Sequence, residues 1–171
     1  MSHSKKCEVR GVLVEIRDIR PDDAERLVAF HAGLSAETKS RRFFAPHPVL
    51  SLDEVQRFTR VDGEDRVALV VVEGEAIVAV GRYDRSIERS HDAEVAFVVT
   101  DRRQGEGLGS LLLAALIDLA RRHSITRFTA DTLTINTAMM RVFRHSGFEL
   151  TTGYDHGVIH VEFPIAAQKP A

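Results

Sequence analysis

Val12–Arg17 is rich in β-branched residues and alternates apolar and charged positions from Val14 onward, the pattern of a half-buried strand. Pro21-Asp22-Asp23-Ala24 then opens a helix running to about Ala32, with proline and acids in the first turn, where free amides and the helix dipole favour them. Ser35-Ala36-Glu37-Thr38 caps a second short helix ending near Phe44, and Pro46-His47-Pro48 imposes an extended break. Ser51 with Glu54 forms a capping box for a third helix, from Leu52 to about Val61.

The apolar runs Val67–Glu73 and Ala76–Asp84 meet at Gly74-Glu75, which predicts a hairpin, and Asp92–Thr100 follows as a strand. From Gly107 to about His123, Leu108, Leu111, Leu112, Ala115, Leu116 and Leu119 recur at helical spacing, the stripe of a core-packed helix. Arg127–Leu133 reads as a strand and Asn136–His145 as a helix stopped by Gly147. Phe148–Leu150 with Val158–Phe163 reads as a closing hairpin. This order predicts an α+β (mixed α/β) fold: a central, mostly antiparallel sheet of six to seven strands flanked by helices, with one β-α-β crossover in the middle. Residues 12–165 form the expected single domain, with residues 1–11 and 166–171 as flexible tails.

Composition narrows the classes. At 44% hydrophobic and 28% charged, the chain has the balance of an ordinary globular protein. A net charge of −2 gives no general attraction to nucleic acid or membrane, and neither is an expected partner. Cys7 is the single cysteine, so no internal disulfide forms and a cytoplasmic location is the default expectation. Met1–Val14 lacks a continuous apolar stretch of the kind a signal peptide needs, and runs such as Val67–Val72 and Leu111–Ile117 are too short to span a bilayer.

The chemistry concentrates at Gln104-Gly105-Glu106-Gly107-Leu108-Gly109, three alternating glycines between an apolar strand and the strongest helix. A helix N-terminus offers unpaired N–H groups and about half a positive charge, and glycine lets a phosphate come close. A Walker loop requires Lys-Ser or Lys-Thr after its last glycine, whereas Gly109 is followed by Ser110 and Leu111. A dinucleotide fingerprint requires its third glycine one residue later, and near the start of a βαβ unit.

What remains, Q-x-x-G-x-G, resembles the acyl-CoA pyrophosphate loop of the GNAT superfamily of N-acetyltransferases. Asn136-Thr137-Ala138 with Val142-Phe143-Arg144-His145-Ser146-Gly147-Phe148 resembles the late helix of that superfamily, with Met139 where its pattern has alanine. The likeness extends from Val12 to Pro164. Arg42-Phe43-Phe44, Pro46-His47-Pro48, Asp65-Arg66-Val67-Ala68, Gly81-Arg82-Tyr83 and Ala93-Glu94-Val95-Ala96-Phe97 look more narrowly like the bacterial protein-lysine acetyltransferase branch. Members of that branch are often fused to cyclic-nucleotide-binding or acyl-CoA-synthetase-like domains. No such domain fits in 171 residues, so that regulatory input is not expected here.

The resemblance implies a GNAT fold, acetyl-CoA as co-substrate and no metal. It also implies an amine acceptor, foremost a protein lysine, and a monomer or homodimer. It places the general base at Glu94, ten residues before Gln104, in an apolar strand where an unpaired carboxylate is costly unless it works. An ion pair with Arg82 or Arg85 is the structural alternative, and Asp131 and His91 are lesser base candidates. Backbone of Phe97, Val98 and Val99 is expected along the pantetheine arm. Arg103 (with Arg102) and the loop Gln104, Gly105, Glu106, Gly107, Leu108, Gly109 and Ser110 are expected at the pyrophosphate. Asn136 is expected as either a helix cap or a cofactor contact. Phe143 stands where many relatives carry an acid tyrosine. The pairs Arg41-Arg42 and Arg121-Arg122 read as solvated faces. The competing functions are acetylation of a small amine (polyamine, amino acid or antibiotic) and non-catalytic sensing of acyl-CoA.

Overall fold

The computed structural model describes residues 3–166. Eight strands form one sheet: β1 (Ser4–Val9), β2 (Val12–Asp18), β3 (Arg66–Glu73), β4 (Ala76–Arg85), β5 (Asp92–Val99), β6 (Arg127–Leu133), β7 (Thr151–Asp155) and β8 (Val158–Pro164). Their order is β1-β2-β3-β4-β5-β6-β8-β7, antiparallel throughout except for the parallel β5–β6 pair. Five helices accompany them: α1 (Ala24–Ala32), α2 (Ala36–Phe43), α3 (Leu52–Thr59), α4 (Leu108–Arg122) and α5 (Thr137–Arg144). No helix among the described residues is long and apolar enough to cross a membrane.

Helices cover both faces of the sheet, which explains the unbroken apolar run of β3. Val67, Leu69 and Val71 join the core beneath α4 and α5, while Ala68, Val70 and Val72 join the core beneath α1 and α3. Gly81 on β4 lies close beneath α4. A Cβ there would lie 2.9 Å from Phe97 Cδ1 and 3.2 Å from both Leu112 Cβ and Leu116 Cδ1. Gly81→Ala is therefore expected to cost about 1–3 kcal/mol by overpacking, read as a lowered thermal midpoint. An unchanged midpoint would show that the sheet and α4 part freely.

Three sequence expectations are corrected. The sheet has eight strands rather than six or seven, because Ser4–Val9, expected within a flexible tail, pairs along β2. Arg10 and Gly11 both take positive φ (52° and 78°), the geometry of a tight hairpin turn, and Cys7 packs against the core. The polar, lysine-bearing composition of β1 suits a sheet edge and hides it from a hydrophobicity reading. The closing hairpin runs from Thr151 rather than Phe148, turning at His156-Gly157 with φ 44° and 82°. Phe148 lies ahead of the strand because its ring stacks on Phe163 at 5.8 Å. The expected tail 166–171 lies, beyond Ala166, outside the described residues.

Candidate active site

The site begins as a fault in the sheet. β5 and β6 pair only at Asp92–Arg127, Ala93–Phe128 and Glu94–Thr129, and then diverge. Beyond Glu94, β5 keeps its β4 partner through Val99 but has none on the β6 side. The gap is a cleft of about 290 Å³, lined by Glu94–Val99, the loop from Arg103, the start of α4, Ala130–Thr132 of β6 and the inner face of α5. Backbone groups on that edge of β5 must find partners elsewhere, so it can take an extended, amide-bearing ligand.

At one end of the cleft sits the glycine loop. A single 3-10 turn, Asp101–Arg103, leads into Gln104; Gly105 and Gly107 then take φ of 77° and 92°, and Gly107 caps α4 without a side chain. The first helical bond of α4 runs from Leu111 N–H to Gly107 C=O. Among the described residues, the amides of Leu108, Gly109 and Ser110 donate to no protein acceptor. Three free amides at the positive end of a 15-residue helix make a site for an anion. Gly109 lies against α5, where a Cβ would sit 3.1 Å from Val142 Cγ2.

Arg103 departs from expectation. Its guanidinium is buried, with Nη1 3.3 Å from Glu73 and Nε 2.8 Å from Glu106, so its charge is spent bracing the loop from beneath. Glu106, expected at the ligand, turns its carboxylate to that same arginine. Arg102 is exposed and reaches Glu73 at 3.3 Å. Gln104 Nε2 donates to Thr38 Oγ1 (3.2 Å) and to the Val99 carbonyl (3.1 Å), fastening the loop to α2 and to the end of β5. Asp101 completes the fastening by accepting from Ser35 N, Ser35 Oγ and Thr38 Oγ1 at 2.6–3.0 Å. Burial raises the Asp101 pKa, but these three donors outweigh it and hold the carboxyl below its ordinary value.

Glu94 lines the middle of the cleft and makes no hydrogen bond or ion pair among the described residues. The alternative partners are engaged elsewhere: Arg82 donates to the Phe58 carbonyl, and Arg85 binds Asp65 and the Ser90 and His123 carbonyls. Glu94 is exposed, yet partial desolvation by its surroundings, then the nearby Asp131 and Asp84, raises its pKa, with Arg42 opposing them. Asp131 also lines the cleft, but its carboxylate is bound by His160 Nδ1 at 2.5 Å. His91 lies outside the cleft, at the Ser124 carbonyl (3.0 Å).

Asn136 caps α5 by accepting from Met139 N at 3.2 Å, and it touches the cleft as well. Phe143 is 1% exposed and forms part of the cleft floor between Phe97 and Phe163, with ring centroids at 6.3 and 5.6 Å. Neither tyrosine lines the cleft. Tyr83 is buried with its hydroxyl at His123 Nδ1 (2.8 Å), and Tyr154 is exposed on edge strand β7. Arg121 and Arg122 are exposed as expected, but Arg41 and Arg42 are both partly buried and line the cleft. Phe44, at left-handed φ 60° where α2 ends, and Arg141 of α5 are further wall residues that periodicity alone does not single out. Among the described residues no cluster of His, Cys, Asp and Glu could hold a metal ion.

A family model described as an acetyltransferase (GNAT) domain matches residues 14–149. The chain belongs to the GNAT acetyltransferase family. It is 34% identical over 153 residues to Acetyltransferase Pat of Mycolicibacterium smegmatis, an alignment covering 88% of this chain and 45% of that protein. It thus spans less than half the length of that relative. It is 33% identical over 143 residues to acetyltransferase PA5475 of Pseudomonas aeruginosa, covering 81% of this chain and 76% of that one. Among solved structures it resembles the GNAT domain of S. lividans PAT, with a TM-score of 0.88, 40% identity, and coverage of 94% and 96% of the two chains. The GNAT fold and membership of this family accord with the expectations drawn from the glycine loop and the late helix.

Proposed function

We propose that this GNAT domain transfers the acetyl group of acetyl-CoA directly to the side-chain amine of a protein lysine, with Glu94 as general base. The observation that carries the proposal is Glu94 itself: a carboxylate without a side-chain partner among the described residues, at the last paired position before the β5 edge opens, in a cleft that also presents three free amides. Acetyl-CoA fits that arrangement, with Leu108, Gly109 and Ser110 N–H for the pyrophosphate and the β5 edge at Phe97–Val99 for the pantetheine amides. When bound, acetyl-CoA supplies a thioester, an activated acyl group with a thiolate as leaving group.

The residues of the chain do the rest. A lysine of pKa about 10.4 is only about 0.04% neutral at pH 7, a handicap of about 4.6 kcal/mol. Alignment of amine and thioester in the cleft offsets it by up to about 7–11 kcal/mol, so positioning comes first. Glu94 then accepts the amine proton as the N–C bond forms and the C–S bond breaks, a contribution of about 10²–10⁴ in rate. With no tyrosine lining the cleft, the departing thiolate draws its proton from solvent. The likeness of Arg42-Phe43-Phe44 and Ala93–Phe97 to the bacterial protein-lysine acetyltransferase branch supports a protein acceptor over a small amine.

Mass spectrometry tests the acceptor class. Lysine-containing proteins and peptides are offered beside spermidine, free amino acids and an aminoglycoside, all with acetyl-CoA. Acetyl-lysine is expected to form fastest; turnover of the small amines alone would overturn the assignment to protein lysine.

A further inference from the structure

Arg42 has no structural employment. It is partly buried on α2 and lines both the main cleft and the small apolar cavity beneath it. Among the described residues its guanidinium makes no hydrogen bond and no ion pair, and its only close partner is the Phe43 ring, 5.0 Å away. Most buried arginines in this fold are committed: Arg17 to Asp23, Arg103 to Glu73 and Glu106, and Arg82 to the Phe58 carbonyl and ring. A guanidinium withdrawn from water without a partner is costly, so its place needs a reason.

Its surroundings supply one. Glu94 faces two other carboxylates, Asp84 directly across from it on β4 and Asp131 on β6. Each of those has its own partner: Arg66 Nε at 3.0 Å from Asp84, and His160 at Asp131. Glu94 is left with partial desolvation and two like charges against it, and Arg42 is the cation that opposes them. Arg57 and Arg82, both stacked on Phe58, are further cations near Arg42, and Arg41 and Arg141 also line the cleft.

We propose that Arg42 is the positioning cation of the base: it acts on the reaction through Glu94, close enough to keep the carboxylate charged and too far away to bind it. A direct salt bridge would compete with the incoming amine for the same oxygens; a cation held across the cleft stabilises the charge and leaves the oxygens free. The spacing is maintained by the fastening of α2 to the cofactor loop through Ser35, Thr38, Asp101 and Gln104. The proposal rests on Glu94 being the base.

The test is a ¹³C-carboxyl NMR titration of Glu94 in the full chain, assigned by its loss in Glu94→Gln and run beside the pH dependence of kcat/KM for a lysine peptide. Arg42→Met, which keeps the stem and removes the charge, is expected to raise the Glu94 midpoint by about half a pH unit or more. The acid limb of kcat/KM moves up with it, about a threefold loss on that limb. Arg42→Lys restores both. A merely structural role for Arg42 predicts that Met leaves the midpoint in place, or that Lys shifts it as far as Met does; either result overturns the proposal. If the midpoint rises while the rate profile stays, Glu94 is not the base, and Arg42 has no part in the reaction. Should Arg42→Met lose the cooperative melt of the wild type, Arg42→Gln replaces it with the same criteria.

Discussion

Glu94→Gln lowers kcat for the lysine acceptor by about 10²–10⁴, with KM for acetyl-CoA nearly unchanged. The substitution is close to isosteric and removes only the capacity to accept a proton. Glu94 has no hydrogen bond or ion pair to lose among the described residues, so the fold has little reason to respond. The cofactor loop lies ten residues further along the chain and is braced by Arg103, Glu73 and Glu106, none of which touches Glu94. The deficit narrows as pH rises, because free amine grows tenfold per unit until the lysine pKa is reached and a base matters less. In the wild type, partial desolvation and Asp131 hold the Glu94 pKa above its ordinary value. Its carboxylate is the active form, so activity falls as pH drops through that raised pKa. Steady-state rates across pH for both proteins check this. Equal rates at neutral pH would remove Glu94 from the mechanism.

Acetyl-CoA raises the thermal midpoint of the ligand-free protein by about 5–10 °C. Binding to the native state alone adds RT ln(1 + [L]/Kd), about 2.7 kcal/mol at one hundred times Kd. For a chain of 171 residues each kcal/mol is worth about 2–4 °C. Most of the gain is assigned to the amides of Leu108–Ser110 and to the open β5 edge. Gly107→Val tests that assignment, because φ 92° at the α4 cap is strained for any residue with a Cβ. The variant is expected to keep a cooperative melt and lose most of the ligand-induced shift, against its own ligand-free baseline. A full shift in Gly107→Val would place the binding energy elsewhere.

The glycine loop and the cleft glutamate are legible in the sequence because their signals are local. Three alternating glycines before an apolar helix demand a ligand-facing turn wherever the helix packs, and an isolated glutamate in an apolar strand stands out. The apolar run of β3 and the helix N-caps at Ser35 and Ser51 likewise describe their own neighbourhoods. The rest depends on contacts distant in sequence. Adjacency to the loop makes Arg103 look like a phosphate ligand; only the fold brings Glu73, from the end of β3, beneath it. Arg41-Arg42 on a polar helix reads as a wetted face until α2 is laid across β5, and then both line the cleft. Arg41 also pairs with Glu37 at 2.5 Å, whereas Arg42 makes no ion pair among the described residues. Ser4–Val9 carries too little apolar surface to declare itself a strand; its pairing comes from the turn at Arg10-Gly11.

The most direct measurement is the rate of acetyl-lysine formation on a lysine peptide at neutral pH with saturating acetyl-CoA. Wild type and Glu94→Gln are measured side by side, and the acetyl-CoA melting shift is recorded for both. The predicted result is turnover by the wild type, at least about a hundredfold less by the variant, and the same melting shift in each. Equal rates, or no turnover from a wild type that acetyl-CoA nonetheless stabilises, would contradict the account and leave an acyl-CoA-binding domain in its place.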